Sequence, residues 1–325
     1  MTQRKTKQTT DGSADPPDTP LSARRKLEDP RFGIVALVGR PNAGKSTLLN
    51  RMLGHKVAIV SAKPQTTRNR IVGILNDERG QIAILDTPGI HKPLHKLNVR
   101  MMDHVRTSLS EADVVALMID VTEAFGRGDQ FAIDLLKQEV KGKRIAILNK
   151  IDLLKKQKLL PLIQRYHDTG LFDEIVPVSA TTGDGVDHLL DVLFSMMPAG
   201  EPRYSREDYT TQPERFFAAE VVREKVLQHT GDELPYTTAV AVDRWEEEEG
   251  KNLIKIYATI VVERESQKPI VIGKRAEMVK RIGTEARIDL ESVLGAKVFL
   301  DLHVAVHERW REDERFISEL EWPLS

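Results

Sequence analysis

The sequence predicts an α/β domain built on a mostly parallel sheet, followed by a smaller α+β domain. Three observations carry this reading. At 325 residues and 40% hydrophobic composition, the chain is too long for one average core and long enough for two. From Phe32 onward, short apolar runs alternate with longer stretches of helical period, the signature of a parallel sheet wrapped by helices. After a Pro- and Gly-containing break, the pattern changes to a few strands mixed with helices.

Residues 1–30 are rich in Thr, Asp, Pro and charge, with almost nothing apolar to bury, and are expected to form a disordered tail. Asp11, Asp15, Asp18, Glu28 and Asp29 argue against an organellar transit peptide, which is poor in acids. The first domain is placed at 31–197. Its expected strands are Ile34–Val38, Ile71–Leu75, Ile82–Leu85, Val114–Ile119, Ile145–Leu148 and Ile175–Val178, with helices between most of them, among them Lys45–Leu53, Met101–Leu109 and Val186–Met196. In such sheets ligands bind at the carboxyl ends of the strands. Pro198, Gly200, Pro202 and Pro213 mark a linker at 198–213. The second domain, 214–325, begins with a helical stretch after Glu214. Strands at Thr238–Val242 and Ile254–Val262, a helix at Glu277–Leu294 and a last strand near Val298–Val306 complete it.

Composition sets limits. Lys and Arg total 48 against 49 Asp and Glu, so attraction to nucleic acid has to come from a local basic surface. The absence of cysteine excludes disulfides, thiolate metal sites and thiol nucleophiles and fits a reducing compartment. No apolar run approaches the roughly 20 residues that span a bilayer, and a soluble cytoplasmic protein is expected.

The chemistry lies in four short segments. Gly39-Arg40-Pro41-Asn42-Ala43-Gly44-Lys45-Ser46, followed by Thr47, runs out of an expected strand and opens a helix, matching a phosphate-binding loop. Its backbone N–H groups and the helix amino terminus cradle phosphates, Lys45 reaches the outer oxygens, and Ser46 offers a hydroxyl to Mg²⁺. Asp86-Thr87-Pro88-Gly89 places a carboxylate at a strand end, where it can hold the Mg²⁺ shell, with Gly89 free to swing toward a γ-phosphate. In Asn149-Lys150-Ile151-Asp152, the Asp152 carboxylate can accept hydrogen bonds from the N1–H and 2-amino group of guanine, donors that adenine lacks. A buried polar group left unpaired discriminates by on the order of 10⁴, so Asp152 points to GTP over ATP. Asn149 can brace the base edge and the phosphate loop, and the Lys150 stem can lie across the ring. Val178-Ser179-Ala180 would supply a backbone N–H to guanine O6.

The ordered set Gly39 to Ser46, Thr66-Thr67, Asp86 to Gly89, Asn149 to Asp152 and Ser179-Ala180 resembles a translation-factor-class GTPase, and more narrowly the Era family. Lys63-Pro64-Gln65-Thr66-Thr67-Arg68 is similar to that family's first switch segment. The resemblance implies that Thr67 closes on Mg²⁺ and the γ-phosphate, with Thr66 as the alternative. Ile90 stands where Ras-like enzymes carry a water-orienting glutamine, so no catalytic base is assigned. Asn42 matches the asparagine with which related GTPases hold K⁺. Further on, Pro269-Ile270-Val271-Ile272-Gly273-Lys274-Arg275-Ala276 joins an apparent strand to a helix and resembles the Gly-x-x-Gly loop of a KH domain, which clamps about four nucleotides. Here Ala276 replaces the second glycine. Gly273, Lys274, Arg275, Ala276 and Lys280 are the RNA-binding candidates, within a segment where Lys268, Arg281 and Arg287 add to a local positive face. The resemblance to the Era family, whose members pair these two domains, implies a GTP/GDP switch that binds the 3′ end of small-subunit ribosomal RNA and assists assembly of the 30S-type subunit. It also implies a monomer that can touch the inner membrane peripherally. A GTP-gated module for a protein or membrane partner is the alternative reading.

Other features point to structure. Glu246 to Glu249 read as an exposed hairpin tip ending at Gly250. His91 and His95 have metal-ligand spacing but no accompanying ligand set. Trp245, Trp310 and Trp322 are expected in the core or as lids rather than as base-stacking surfaces.

Overall fold

Two sheets, of six and three strands, organise residues 30–231, 234–248 and 250–321, which the computed structural model describes. The expected tail up to residue 29, Glu249 and Trp322 lie outside the described residues. The first part runs β1 (Arg31–Gly39), α1 (Lys45–Leu53), β2 (Ile71–Asp77), β3 (Gly80–Asp86), α2 (Lys96–Glu111), β4 (Val114–Asp120), α3 (Arg127–Glu139), β5 (Lys143–Asn149), α4 (Leu159–His167), β6 (Glu174–Val178) and α5 (Val186–Met196). The strand order is β2-β3-β1-β4-β5-β6, parallel throughout except for β2, which pairs antiparallel with β3.

Alternation along each strand divides the apolar residues between two cores. Val35 and Leu37 face α1 and α5, whose Leu48, Leu49, Leu189, Leu193 and Phe194 fill one side. Ala36 and Val38 face α2 and α3, where Met102, Val105, Ile133 and Leu136 fill the other. With both faces covered, the strands are near-continuous apolar runs, and the chemistry is confined to their carboxyl ends, where β1, β3 and β5 deliver Gly39, Asp86 and Asn149.

The Pro-rich segment is strapped to the edge of this sheet. Thr210 bridges Gly73, and the Ile74 N–H donates to the Tyr209 carbonyl at 2.9 Å. The fully buried Gln81 side chain accepts the Arg203 and Tyr204 N–H groups and donates to the Tyr204 carbonyl.

The second part runs α6 (Glu214–His229), α7 (Leu234–Thr237), β7 (Ala239–Glu248), β8 (Leu253–Val262), α8 (Lys268–Ile272), α9 (Glu277–Leu294), β9 (Lys297–Val306) and α10 (Glu314–Leu320). β8 is central, antiparallel to β7 and parallel to β9, and Ile256, Ala258 and Ile260 on its inner face pack against Val222 and Val226 of α6 and Ile282, Ala286 and Leu290 of α9. The apparent strand at Pro269–Ile272 is instead helix α8. Proline suits its first turn, Val271 is buried while Ile270 faces solvent, and the Gly273 N–H closes on the Pro269 carbonyl. Trp310 is fully buried, whereas Trp245 is half-buried. Glu246 and Glu247 are exposed on β7 near the turn at Gly250. Among the described residues no helix is long and apolar enough to cross a membrane.

The two parts meet along the segment that follows α1. Glu224 of α6, almost wholly buried, accepts from Lys56 Nζ at 2.6 Å and from the Val60 N–H at 2.8 Å. Arg68 inserts between the parts, donating Nη1 to the Thr238 carbonyl at 2.7 Å and Nη2 to the Pro235 carbonyl at 2.9 Å, with its guanidinium 5.5 Å from the Trp310 ring centroid. Trp310 is itself held by its Nε1 donating to the Thr237 carbonyl. Arg223 of α6, doubly bonded to Glu220, donates to the Thr66 carbonyl. On the other flank, His95, Lys96 and His104 of the α2 region pair with Glu312, Glu314 and Glu321.

Candidate functional site

The loop between β1 and α1 forms one wall of a cavity of about 320 Å³, lined by Asn42, Gly44, Lys45, Ser46 and Thr47 together with Thr67, Gly89 and Lys150. Gly44 sits at φ 96°, and a Cβ there would fall 2.3 Å from Asn149 Nδ2, so only glycine fits. Lys45 Nζ lies over the loop, donating to the Arg40 carbonyl at 3.2 Å. Burial lowers its pKa, opposed by the nearby Asp86 carboxylate.

Three oxygens converge beside Lys45. Ser46 Oγ donates to Asp86 Oδ2 at 2.5 Å and lies 2.9 Å from Thr67 Oγ1. Asp86 is completely buried, and desolvation pushes its pKa up to about 6 against the opposing effects of Lys45, Ser46 and Thr67. Its second oxygen, Oδ1, is buried without a hydrogen-bond partner. A buried carboxylate oxygen lacking a donor, next to two hydroxyls, is a donor set that fits a hard divalent cation. Thr67 therefore joins this cluster, while Thr66 turns away and donates Oγ1 to the Lys63 carbonyl at 2.6 Å.

Gly89 is packed against the loop: a Cβ would meet Pro41 N at 2.7 Å, and the following Ile90 N–H donates to the Gly39 carbonyl at 2.9 Å. The Ile90 side chain is buried among Met102 and Val105 in the core beneath α2. An aliphatic anchor thus occupies the position that Ras-like enzymes give to a glutamine. His91 Nδ1 contacts the Gly89 carbonyl and His95 pairs with Glu312, so the two histidines are engaged separately.

At the base end, Asn149 is buried and bridges two loops, its Nδ2 donating to the Ala43 carbonyl at 2.8 Å and its Oδ1 accepting the Ala180 N–H at 2.9 Å. Within the Val178-Ser179-Ala180 segment, the Ala180 amide is thus engaged in holding Asn149. Ser179 is buried and its Oγ accepts the Thr182 N–H, which shapes the same loop. Lys150 adopts a left-handed φ of 69° and its amine pairs with Asp120, a residue the sequence motifs do not include. Asp152 lies exposed in the single turn Ile151–Leu153. Asn42, at φ 63°, donates Nδ2 to the Ala62 carbonyl at 2.8 Å and so ties the phosphate loop to the segment leading to Thr67.

The second candidate site joins α8 to α9. Gly273 adopts φ 74°, and a Cβ there would lie 2.6 Å from Met278 Cβ. Arg275 and Ala276 follow at φ 52° and 61°. Alanine thus occupies a left-handed position that glycine would take without strain, at a cost of roughly 1–2 kcal/mol. Lys274, Arg275 and Lys280 are exposed and have no ion-pair partner among the described residues, whereas Arg281 and Arg287 are paired along the helix with Glu285 and Glu291.

Comparison with known proteins follows this division. Residues 34–150 match the 50S ribosome-binding GTPase family and residues 233–311 match the KH domain. GTPase Era of Geobacter metallireducens is 48% identical over 290 residues, covering 89% of this chain and 97% of that protein. GTPase Era of Staphylococcus haemolyticus is 45% identical over 294 residues, covering 90% and 98%. The crystal structure of Era in complex with MgGDPNP and nucleotides 1506–1542 of 16S ribosomal RNA superposes with a TM-score of 0.86 at 39% identity, covering 90% of this chain and 98% of that one. A variant of Aquifex aeolicus Era bound to GDP and AlF4⁻ gives a TM-score of 0.85 at 39% identity, covering 89% and 98%.

The raised pKa of Asp86 has a definite sign for stability. The folded protein holds the proton up to about pH 6, whereas the unfolded chain releases it near 3.8, so ionisation in this dry site opposes folding over that window. Without a cation, the contribution of Asp86 to stability should fall as pH rises from about 4 to about 6, by up to about 1.4 kcal/mol per unit. In denaturant titrations Asp86→Asn should gain on the wild type across this window, and a pH-independent difference between the two contradicts the assignment.

Proposed function

This chain belongs to the Era family of GTPases, and from that premise we propose a switch in which guanine nucleotide in the first domain governs ribosomal RNA held by the second. The reaction is GTP and water to GDP and phosphate. The 39–47 loop surrounds the phosphates with backbone N–H groups, and Lys45 turns from the loop carbonyls to the outer phosphate oxygens. Asp152 accepts from guanine N1–H and the 2-amino group. Asn149 keeps the phosphate loop and the Ser179-Ala180 loop in register around the base.

Ser46, Thr67 and Asp86 would hold Mg²⁺, which supplies charge neutralisation for the β and γ phosphates. Asn42 would hold K⁺ beside the same phosphates, its Nδ2 being already directed to Ala62. Phosphoryl transfer is governed mainly by positioning and electrostatics. This chain therefore contributes donors and a shielded site, and the buried Ile90 excludes an amide at that position.

In the second domain the 273–276 loop clamps the sugar-phosphate backbone, with Lys274, Arg275 and Lys280 facing phosphates. The RNA is the 3′ end of small-subunit ribosomal RNA, by kinship with the Era that was crystallised with nucleotides 1506–1542 of 16S ribosomal RNA. The role is assistance in assembly of the small subunit, by a monomer acting in the cytoplasm. The observation that best supports the switch is adjacency. Thr67 reaches the nucleotide cavity, and the next residue, Arg68, is anchored on carbonyls of the second domain. A segment that closes on a γ-phosphate at one residue must shift the anchor at its neighbour.

Two measurements test this reading. Asp152→Asn should weaken GTP binding at least 100-fold while raising affinity for xanthosine triphosphate, and an unchanged GTP preference removes the basis for the nucleotide assignment. Reversing both Lys274 and Arg275 to Glu should weaken binding of a single-stranded RNA copying the ribosomal 3′ end at least tenfold. It should also flatten the salt dependence, each lost phosphate contact reducing the slope by about 0.7. Retained affinity removes the loop from the RNA site.

A further inference from the structure

Asp120 belongs to none of the motifs, yet the strand register sets it beside the base-recognition segment. It ends β4 opposite Asn149 of β5, and the Val121 N–H donates to the Asn149 carbonyl at 3.1 Å. One carboxylate oxygen, Oδ1, accepts both the Thr122 N–H at 2.9 Å and its hydroxyl at 2.6 Å, which fixes the side chain. The other, Oδ2, takes the Lys150 amine. Burial disfavours ionisation of Asp120, but the Lys150 and Thr122 hydrogen bonds outweigh it and hold the carboxyl below its ordinary pKa.

We propose that Asp120 is a positioning residue for guanine specificity: it draws the Lys150 amine away from Asp152, leaving that carboxylate to the base and the Lys150 stem stretched along the nucleotide cavity. The inference rests on the guanine reading given above. Lys150 and Asp152 are two residues apart, across a left-handed turn that brings the chain out of β5 and into a tight 3-10 turn. A free ammonium there would be the nearest competitor for the carboxylate that has to read the base. Among the described residues, the Asp152 side chain has no hydrogen bond or ion pair, while Lys150 is paired with Asp120 and lines the cavity. Fixing the amine also removes in advance part of the rotamer freedom of a lysine that ordering it on a bound base would otherwise cost.

The test is a double-mutant cycle on the full chain, reading dissociation constants for fluorescent GDP and a GTP analogue, with thermal midpoints confirming folding. Asp120→Ala should weaken GDP and the GTP analogue by the same factor, about tenfold, because the effect lies at the base and not at the phosphates. Lys150→Met in the Asp120→Ala background should restore much of that loss, since no amine is left to capture Asp152. A local packing defect at Asp120 would not be rescued by removing the charge on Lys150. Wild-type affinity in Asp120→Ala, or losses that simply add in the double variant, overturns the proposal. Failure of the wild type itself to prefer guanine nucleotides would instead overturn the reading on which it rests.

Discussion

A guanidinium removed from water has to find its partners in the protein, and Arg68 finds them in the other domain. Its Nη1 and Nη2 donate to the Thr238 and Pro235 carbonyls and its guanidinium lies over Trp310, while Nε is buried without a hydrogen-bond partner. Desolvation, with the neighbouring Arg223 as the next cause, lowers its pKa to about 9, so it remains charged near neutrality and cannot relieve its burial by losing the proton. The segment 66–68 is therefore not a loop free to move alone. Any rearrangement that pulls Thr67 toward a phosphate either carries the 235–238 turn with it or leaves a buried charge unpaired. Arg223, whose second-domain helix supports the Thr66 carbonyl, adds the same constraint from below.

The nucleotide cavity shows the complementary logic. Its walls come from strand ends, and strand ends are stiff because both sheet faces are buried. Asn149 ties the phosphate loop to the base loop through one side-chain amide, and Asp86, Ser46 and Thr67 gather oxygens around a carboxylate whose second oxygen has no donor. The cavity is thus preorganised at one end and electrostatically incomplete at the other, which is where the proposed cation and nucleotide phosphates would supply the missing charge.

Much of this was legible in the sequence because the informative residues are local. The short apolar runs that make β1 to β6, and the short motifs at their carboxyl ends, depend on near neighbours and on physics that spacing records. The helix at Pro269–Ile272 was not legible, since four apolar residues satisfy either period and only the burial of Val271 with the exposure of Ile270 decides between them. Asp120, Arg223 and Glu224 escaped for another reason. Each has a partner distant in sequence, and a charged residue in a helix or at a strand end looks like a solvated one until the fold brings that partner. The left-handed Ala276 is of the same kind. Its departure from glycine is visible in the sequence, but the strain at φ 61° belongs to the folded loop.

On the proposed mechanism, nucleotide state reaches RNA through the buried 66–68 anchor. The most direct measurement compares affinity for a single-stranded RNA copying the 3′ end of small-subunit ribosomal RNA, with a GTP analogue and with GDP, in the wild type and in Arg68→Met. A nucleotide-dependent difference is expected in the wild type and should collapse in a folded Arg68→Met protein still able to bind both nucleotides. An equal difference in both proteins, or no difference in the wild type, would contradict it.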